Sequence, residues 1–312
     1  MIIFGLLPMS GCVQPAHQAT APATNPATNP VTIPMTNAPA RARHPENEPA
    51  NPKLPSLFLI GDSTVRNGQG DGGGGQWGWG DKIAPFFDTS KINVVNRALG
   101  GTTGRTFYRD LWPRVLAMLK PGDFVIMQFG TNGVPINDAS RARGTIRGVG
   151  DETEEIDNLV TQQHEVVHSF GWYEKQIIAE ARSKGATPMV CSLIPRNSWR
   201  NGRAARSNGE DAGGWAGQAA KSVNAPFIDI NEIIARKYDE LGQEKVNALF
   251  VAGAGPHTSL AGAELNAECV VAGLKGLAEN PLAKYLSAKA NDVAPADLSK
   301  PAPAPVETPV AN

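Results

Sequence analysis

Cysteine is rare in this chain of 312 residues, with three copies; histidine occurs five times, and aromatic side chains make up only 6%. No charge of one sign dominates, since 29 basic residues face 30 acidic ones for a formal net charge of −1. That balance gives no support to nucleic acid or an anionic membrane surface as a partner, and a neutral or mildly charged substrate fits it better. Charged residues account for 19% and hydrophobic ones for 41%, which suits one sizeable α/β core carrying disordered appendages. One domain is the better count. The shortage of histidine also bounds the chemistry. A reaction that needs an imidazole base near neutral pH must find it among His17, His44, His164, His168 and His257.

The appendages are legible from composition. Residues 13–55 are dominated by Pro, Ala, Thr and Asn, with Ala23-Thr24-Asn25-Pro26 repeated as Ala27-Thr28-Asn29-Pro30. Such a tract buries too little apolar surface to offset the entropy of ordering, and is expected to be extended and mobile. The tail 289–312, with Lys300-Pro301-Ala302-Pro303-Ala304-Pro305, reads likewise, leaving 56–288 as the folded domain. The first twelve residues contain no Lys or Arg, and their apolar stretch is short. They nevertheless end in Met9-Ser10-Gly11-Cys12, which resembles a bacterial lipoprotein signal cut before the cysteine. On that reading Cys12 carries lipid and the protein is exported and membrane-anchored, in the periplasm or at the cell surface. The alternative is a short uncharged tail. Cys191, in an apolar strand, and Cys269, on the last helix, read as buried thiols.

Apolar runs of strand length recur at 57–60, 92–95, 124–129, 188–194 and 226–230, with longer helical patterns between most of them. Trp172, Ile177, Ile178 and Ala181 mark one helix face, and Ile233, Ile234, Tyr238 and Leu241 a second. Ala261, Leu265, Cys269 and Ala272 mark a third. Strands alternating with helices imply a five-stranded parallel sheet covered on both faces, a three-layer α/β/α sandwich with its site outside the carboxyl ends of the strands.

Four short blocks stand at the edges of those elements. Gly61-Asp62-Ser63 closes the first apolar run and puts a serine where a buried strand opens into a loop, the place where an α/β protein displays a nucleophile. An ordinary turn is the bland alternative. Gly100-Gly101 lies beyond the second strand, Phe129-Gly130-Thr131-Asn132 ends the third, and His257-Thr258-Ser259 opens the closing helix. A serine hydroxyl needs a base to take its proton. His17 and His44 lie in the low-complexity leader. His164 and His168, spaced i, i+4, suggest a zinc pair, but no third ligand motif accompanies them and a solvated or packed helix face is favoured. His257 stands at a loop tip from which it reaches neighbouring strand ends.

In this order of Ser, Gly, Asn and His, the chain resembles the SGNH hydrolases, also called the GDSL family, over roughly residues 57–286. Within that family it is most similar to rhamnogalacturonan acetylesterases and related bacterial carbohydrate esterases. The likeness rests on Gly100-Gly101-Thr102-Thr103-Gly104-Arg105-Thr106-Phe107 and on His257-Thr258-Ser259-Leu260-Ala261-Gly262-Ala263. The resemblance implies an SGNH, flavodoxin-like sandwich, Ser63 as nucleophile and His257 as its base. It also implies an oxyanion hole built from the backbone N–H of Ser63, the backbone N–H of Gly101 and the side-chain amide of Asn132. These assignments suit the chemistry, because prearranged donors are usually the largest electrostatic contribution to acyl transfer. Gly101 permits close backbone approach, and the Asn132 amide has two N–H donors. A turn glycine and a loop-capping amide are the bland readings of the same two residues. The implied substrate is an acetylated polysaccharide or oligosaccharide of the pectin or rhamnogalacturonan kind, with no metal or organic cofactor. A lipase or thioesterase of the same fold would need an apolar acyl channel. A carbohydrate-binding protein that has lost turnover is the third reading.

Two family features are missing. The acid that orients the histidine normally lies three residues before it, and that position is Ala254; the segment 252–256 has no carboxylate at all. Loss of the orienting acid in a triad costs on the order of 10⁴ in turnover. The alternatives, in order of preference, are a Ser-His dyad held by a backbone carbonyl, an impaired enzyme, and a substitute carboxylate from elsewhere. Gly133 stands where many relatives have an acid after the asparagine, which predicts a looser or differently bonded loop. Two glycine-rich loops, 67–80 and 143–155, are candidates for substrate choice. Trp77 and Trp79 in the first either stack on a sugar ring or pack onto the core beside Trp112.

Overall fold

The computed structural model describes residues 47–133 and 135–302. The lipoprotein-like segment 1–12 with Cys12, most of the Pro/Ala/Thr-rich tract, and residues 303–312 lie outside the described residues. The chain runs through β1 (Ser56–Gly61), β2 (Asn93–Asn96), α1 (Gly104–Asp110), α2 (Trp112–Met118), β3 (Phe124–Gln128), β4 (Thr153–Asp157), β5 (His164–His168) and α3 (Phe170–Ser183). It continues through β6 (Thr187–Cys191), β7 (Trp199–Arg200), β8 (Arg203–Ala204), α4 (Ala212–Ser222), β9 (Phe227–Ile228), α5 (Ile230–Leu241), α6 (Gln243–Asn247) and α7 (Leu260–Gly276).

Five strands form one parallel sheet in the order β2-β1-β3-β6-β9, and each of the five apolar runs supplies one of them. The strands read as continuous apolar runs because both faces of the sheet are buried. Leu57 and Leu59 of β1, with Phe124 and Ile126 of β3, enter one apolar cluster together with α5 and α7. Phe58, Ile60, Val125 and Met127 point the other way, into a second cluster with α1, α2, α3 and α4. The strand order reverses around β1, so its carboxyl end opens at a topological switch point, where α/β sheets leave a crevice.

Several expectations need correction. The stretch 47–55 is anchored to the sheet edge, where Asn51 N–H donates to Asn93 Oδ1 at 2.9 Å and Asn93 Nδ2 donates to the Asn51 carbonyl at 2.9 Å. The tail from 289 is likewise fixed as far as the described residues go. Ala290 and Val293 are buried, Lys275 Nζ donates to the Ala290 carbonyl at 2.8 Å, and Ala296 N–H donates to the Ala272 carbonyl at 2.8 Å. Two apolar side chains and a lysine that satisfies loop carbonyls outweigh the tail's low-complexity composition. Trp79 is fully buried in the cluster on the α5/α7 face, whereas Trp112 belongs to the opposite face, so the two do not pack together. Cys191 and Cys269 are buried free thiols, and burial pushes the Cys269 thiol up to about 12.

The i, i+4 histidines stand on strand β5 and not on a helix. His164 is exposed beside Asp157 and Glu155, while His168 stacks on Trp172 with ring centroids 3.6 Å apart. Among the described residues no group of three His, Cys, Asp or Glu is arranged to hold a metal ion, and no helix is long and apolar enough to cross a membrane.

Candidate active site

β1 ends at Gly61 because nothing larger fits there. A Cβ would lie 2.4 Å from the Gln128 carbonyl oxygen and 2.5 Å from Val65 Cγ2. The chain then turns, and Ser63, only 7% exposed, is presented at the crevice. The turn is fastened from below by a chain of side-chain hydrogen bonds. Trp79 Nε1 donates to Gln128 Oε1 at 2.7 Å, Gln128 Nε2 to Thr64 Oγ1 at 2.6 Å, and Thr64 Oγ1 to Asp62 Oδ1 at 2.7 Å. Asp62 is fully buried, and its Oδ2 accepts from Thr131 N–H at 3.3 Å, which ties the serine loop to the asparagine loop. Burial pushes the Asp62 carboxyl up, against the hydrogen bonds from Thr64 and Thr131 that hold it down.

His257 Nε2 lies 2.9 Å from Ser63 Oγ. The two residues are 194 apart in the chain, and the loop 251–258 joins them. Val251 N–H donates to the His257 carbonyl at 3.1 Å, and Ala254 N–H to the Val251 carbonyl at 3.0 Å. Ser259 caps α7 by accepting from Gly262 N–H, so the histidine sits two residues ahead of a capped helix. A reciprocal pair fixes the loop's far side, with Trp77 N–H donating to the Thr258 carbonyl and Thr258 Oγ1 to the Trp77 carbonyl, both at 2.9 Å. Trp77 itself is partly buried, with Lys82 Nζ 3.3 Å from its ring centroid. Burial holds the His257 imidazole below its ordinary range. The Asp62 charge and hydrogen bonding to the Ala254 backbone push it up, and the Arg196 charge pushes it down. Among the described residues no carboxylate hydrogen-bonds to this ring.

Beside Ser63 runs the turn Leu99–Thr102. Thr102 N–H donates to the Leu99 carbonyl at 3.3 Å, and Gly101 takes φ +82°, the positive value required at the third position of a type II turn. A Cβ on Gly100 would stand 3.4 Å from Ser63 Cβ, so the turn abuts the serine directly. Asn132 Nδ2 donates to the Thr102 carbonyl at 2.9 Å, which occupies one of its two N–H bonds and fixes the amide next to the same turn. Gly133 meets nothing within 4 Å of its Cβ position, and the loop is instead held by Asp62 and by Arg196 Nη2, which donates to the Thr131 carbonyl at 3.0 Å. Ser63, Gly101, Asn132 and His257 thus border one crevice.

Sequence reasoning overlooked the residues that hold this arrangement. Gln128 left a trace as the one polar residue in the apolar strand Phe124–Gln128. Arg143 and Arg196 left none. Arg143 donates from its guanidinium to the Gly101 carbonyl. It belongs to the 143–155 loop, which also borders a cavity of about 440 Å³ lined by Thr103, Gly130, Gly133, Arg147, Phe170 and Trp215 among others. Arg147 lies 5.4 Å from the Trp215 ring centroid. The cavity opens on the chain neighbours of Thr102 and Asn132.

The chain is 28% identical over 215 residues to a rhamnogalacturonan acetylesterase of Emericella nidulans, covering 68% of this chain and 82% of that one. It is 30% identical over 226 residues to a Bacillus subtilis protein named a probable rhamnogalacturonan acetylesterase, covering 71% and 93%. The solved structure of the Bacillus subtilis protein YxiM shares the fold with a TM-score of 0.57 at 22% identity, over 71% of this chain and 56% of that one. A family model matches residues 59–265, and the chain belongs to the GDSL-like lipase/acylhydrolase family.

Proposed function

We propose that this protein is a serine esterase that removes acetyl groups from a polysaccharide of the pectin or rhamnogalacturonan kind. The observation that carries the reading is the 2.9 Å contact between His257 Nε2 and Ser63 Oγ at the switch point of the sheet. Similarity to proteins named rhamnogalacturonan acetylesterases supports the substrate class, and the aromatic cavity beside the asparagine loop supports a carbohydrate ligand.

In the proposed cycle Ser63 Oγ attacks the acetyl carbonyl carbon while His257 Nε2 takes its proton. The carbonyl oxygen, now negative, is held by Ser63 N–H, Gly101 N–H and the free N–H of the Asn132 amide. Collapse expels the sugar oxygen, which receives the proton from His257, and leaves an acetyl ester on Ser63. Water then attacks that ester with His257 again as base, releasing acetate and restoring the serine. The backbone carbonyl of Ala254 takes the orienting place of the absent acid. Accepting from the Nδ1–H, it would fix the tautomer that leaves Nε2 open toward Ser63. A carbonyl has no net charge, so support for the imidazolium falls to the nearby buried Asp62.

Acetate release from a panel of acetylated polysaccharides tests the reading, with Ser63→Ala as control. Wild-type release, absent in a variant of unchanged melting temperature, is expected. Retained turnover in Ser63→Ala would remove the nucleophile assignment, and faster hydrolysis of long-chain than of acetyl esters would favour a lipase.

A further inference from the structure

We propose that Arg143 is a positioning residue of the oxyanion hole: its guanidinium holds the Gly101 carbonyl and thereby fixes in place the turn that carries the Gly101 N–H beside Ser63. The role given to Gly101 rests on the esterase reading; the clasp itself does not. Two consecutive glycines have little conformational preference of their own. The turn that carries them must therefore be held from outside.

Arg143 is placed to hold it. Its guanidinium donates to the Gly101 carbonyl and packs where a Gly101 Cβ would be, 3.1 Å from Arg143 Nη1. The contact is reciprocated, since Thr103 Oγ1 donates to the Arg143 carbonyl at 2.7 Å. The turn is therefore tied at its start by Thr102 on Leu99 and at its end by Arg143. The arginine is itself braced. Fully buried Arg105 donates from Nη1 to the carbonyls of Ile136 at 2.8 Å and of Gly144, the residue after Arg143, at 2.7 Å. The other side of the Arg105 guanidinium is paired with Glu165, at 2.7 Å from Nε and 2.6 Å from Nη2.

The test uses Arg143→Met and Arg143→Lys in the full-length protein, with the Gly101 amide followed by ¹⁵N–¹H NMR and kinetics on an acetyl ester. In Arg143→Met the Gly101 resonance is expected to shift and broaden. The kcat should fall about 10- to 100-fold, somewhat less than the loss of a whole oxyanion donor, with KM within about twofold. Arg143→Lys, which still donates to a carbonyl, should keep the larger share of kcat. If Arg143→Met fails to fold, Arg143→Gln carries the same two readouts. An unchanged Gly101 resonance overturns the clasp whether or not the protein hydrolyses esters. A displaced resonance with unchanged kcat overturns Gly101 as an oxyanion donor. Absence of hydrolysis in the wild type overturns the esterase reading alone, and the resonance still decides the clasp.

Discussion

Glu174 gives the sharpest quantitative prediction. It lies on α3 in the apolar layer, fully buried, and neither carboxylate oxygen has a hydrogen-bond partner among the described residues. Burial alone pushes its pKa from 4.5 up to about 8. The folded chain therefore keeps a proton at this site through a pH range in which the unfolded chain has released it. Stability from this group is complete below pH 4.5, declines through the window up to about 8, and is flat above it. The slope within the window is about 1.4 kcal/mol per pH unit, so at pH 7 roughly 3 kcal/mol has been lost relative to pH 4. That is a large share of the 5–15 kcal/mol typical of a domain. Glu174→Gln has the same shape and no titration. Denaturant unfolding of both proteins between pH 4 and 9, plotted as a difference, cancels every group they share. The variant should gain on the wild type steadily from pH 4.5 to 8 and hold its lead above. A flat difference across that window would mean that Glu174 finds a charged or hydrated partner, and the reasoning from burial would be refuted.

Three further outcomes are expected. Because burial, and after it Arg196, hold the His257 imidazole below its ordinary 6.5, kcat/KM should rise with pH through a midpoint below that value as the base becomes neutral. Arg196→Gln should move the midpoint upward, and a pH–rate profile with both midpoints unchanged would contradict this. On the proposed reading, in which the Ala254 carbonyl holds the ring, Ala254→Asp should leave turnover unchanged or lower; a rise of roughly tenfold or more in a folded variant would show that the ring lacked an orienting partner. Cys12 should carry lipid and take the protein to the membrane fraction of a bacterial host, an outcome that mass spectrometry of an unprocessed Met1 terminus on soluble protein would exclude.

The sheet was legible because its signal is local. A strand buried on both faces is apolar at nearly every position, as 57–60 and 124–127 are. The last helix was harder to read. Nine residues of α7 are buried, Gly262, Ala263, Asn266 and Ala267 among them, whereas Ala261 is exposed. A wide buried face carrying small and polar residues dilutes the 3.6-residue period, and the spacing from Ala261 followed one edge of it. His164 and His168 misled for a related reason. Spacing of i, i+4 keeps two side chains on one face of a strand as well as of a helix, so the pattern alone does not choose between them.

Candidate site residues are easier to find than groups that hold them in place. Ser63, Gly101, Asn132 and His257 each follow a strand or precede a helix, and an edge is a local property. Arg143 reaches Gly101 across 42 residues and grips a backbone carbonyl, which every residue possesses, so no residue type in the turn records the contact. The same argument bears on the missing acid. An aspartate three residues before His257 would have been visible as a letter, and its absence was. A carbonyl standing in its place is invisible, because alanine at 254 supplies the same backbone oxygen as any other residue. Replacement of an acid by a main-chain acceptor therefore looks in sequence like loss of function. On the proposed reading the His257 ring, 2.9 Å from Ser63 Oγ, is held by such an acceptor, and the response of turnover to Ala254→Asp separates that arrangement from an impaired enzyme.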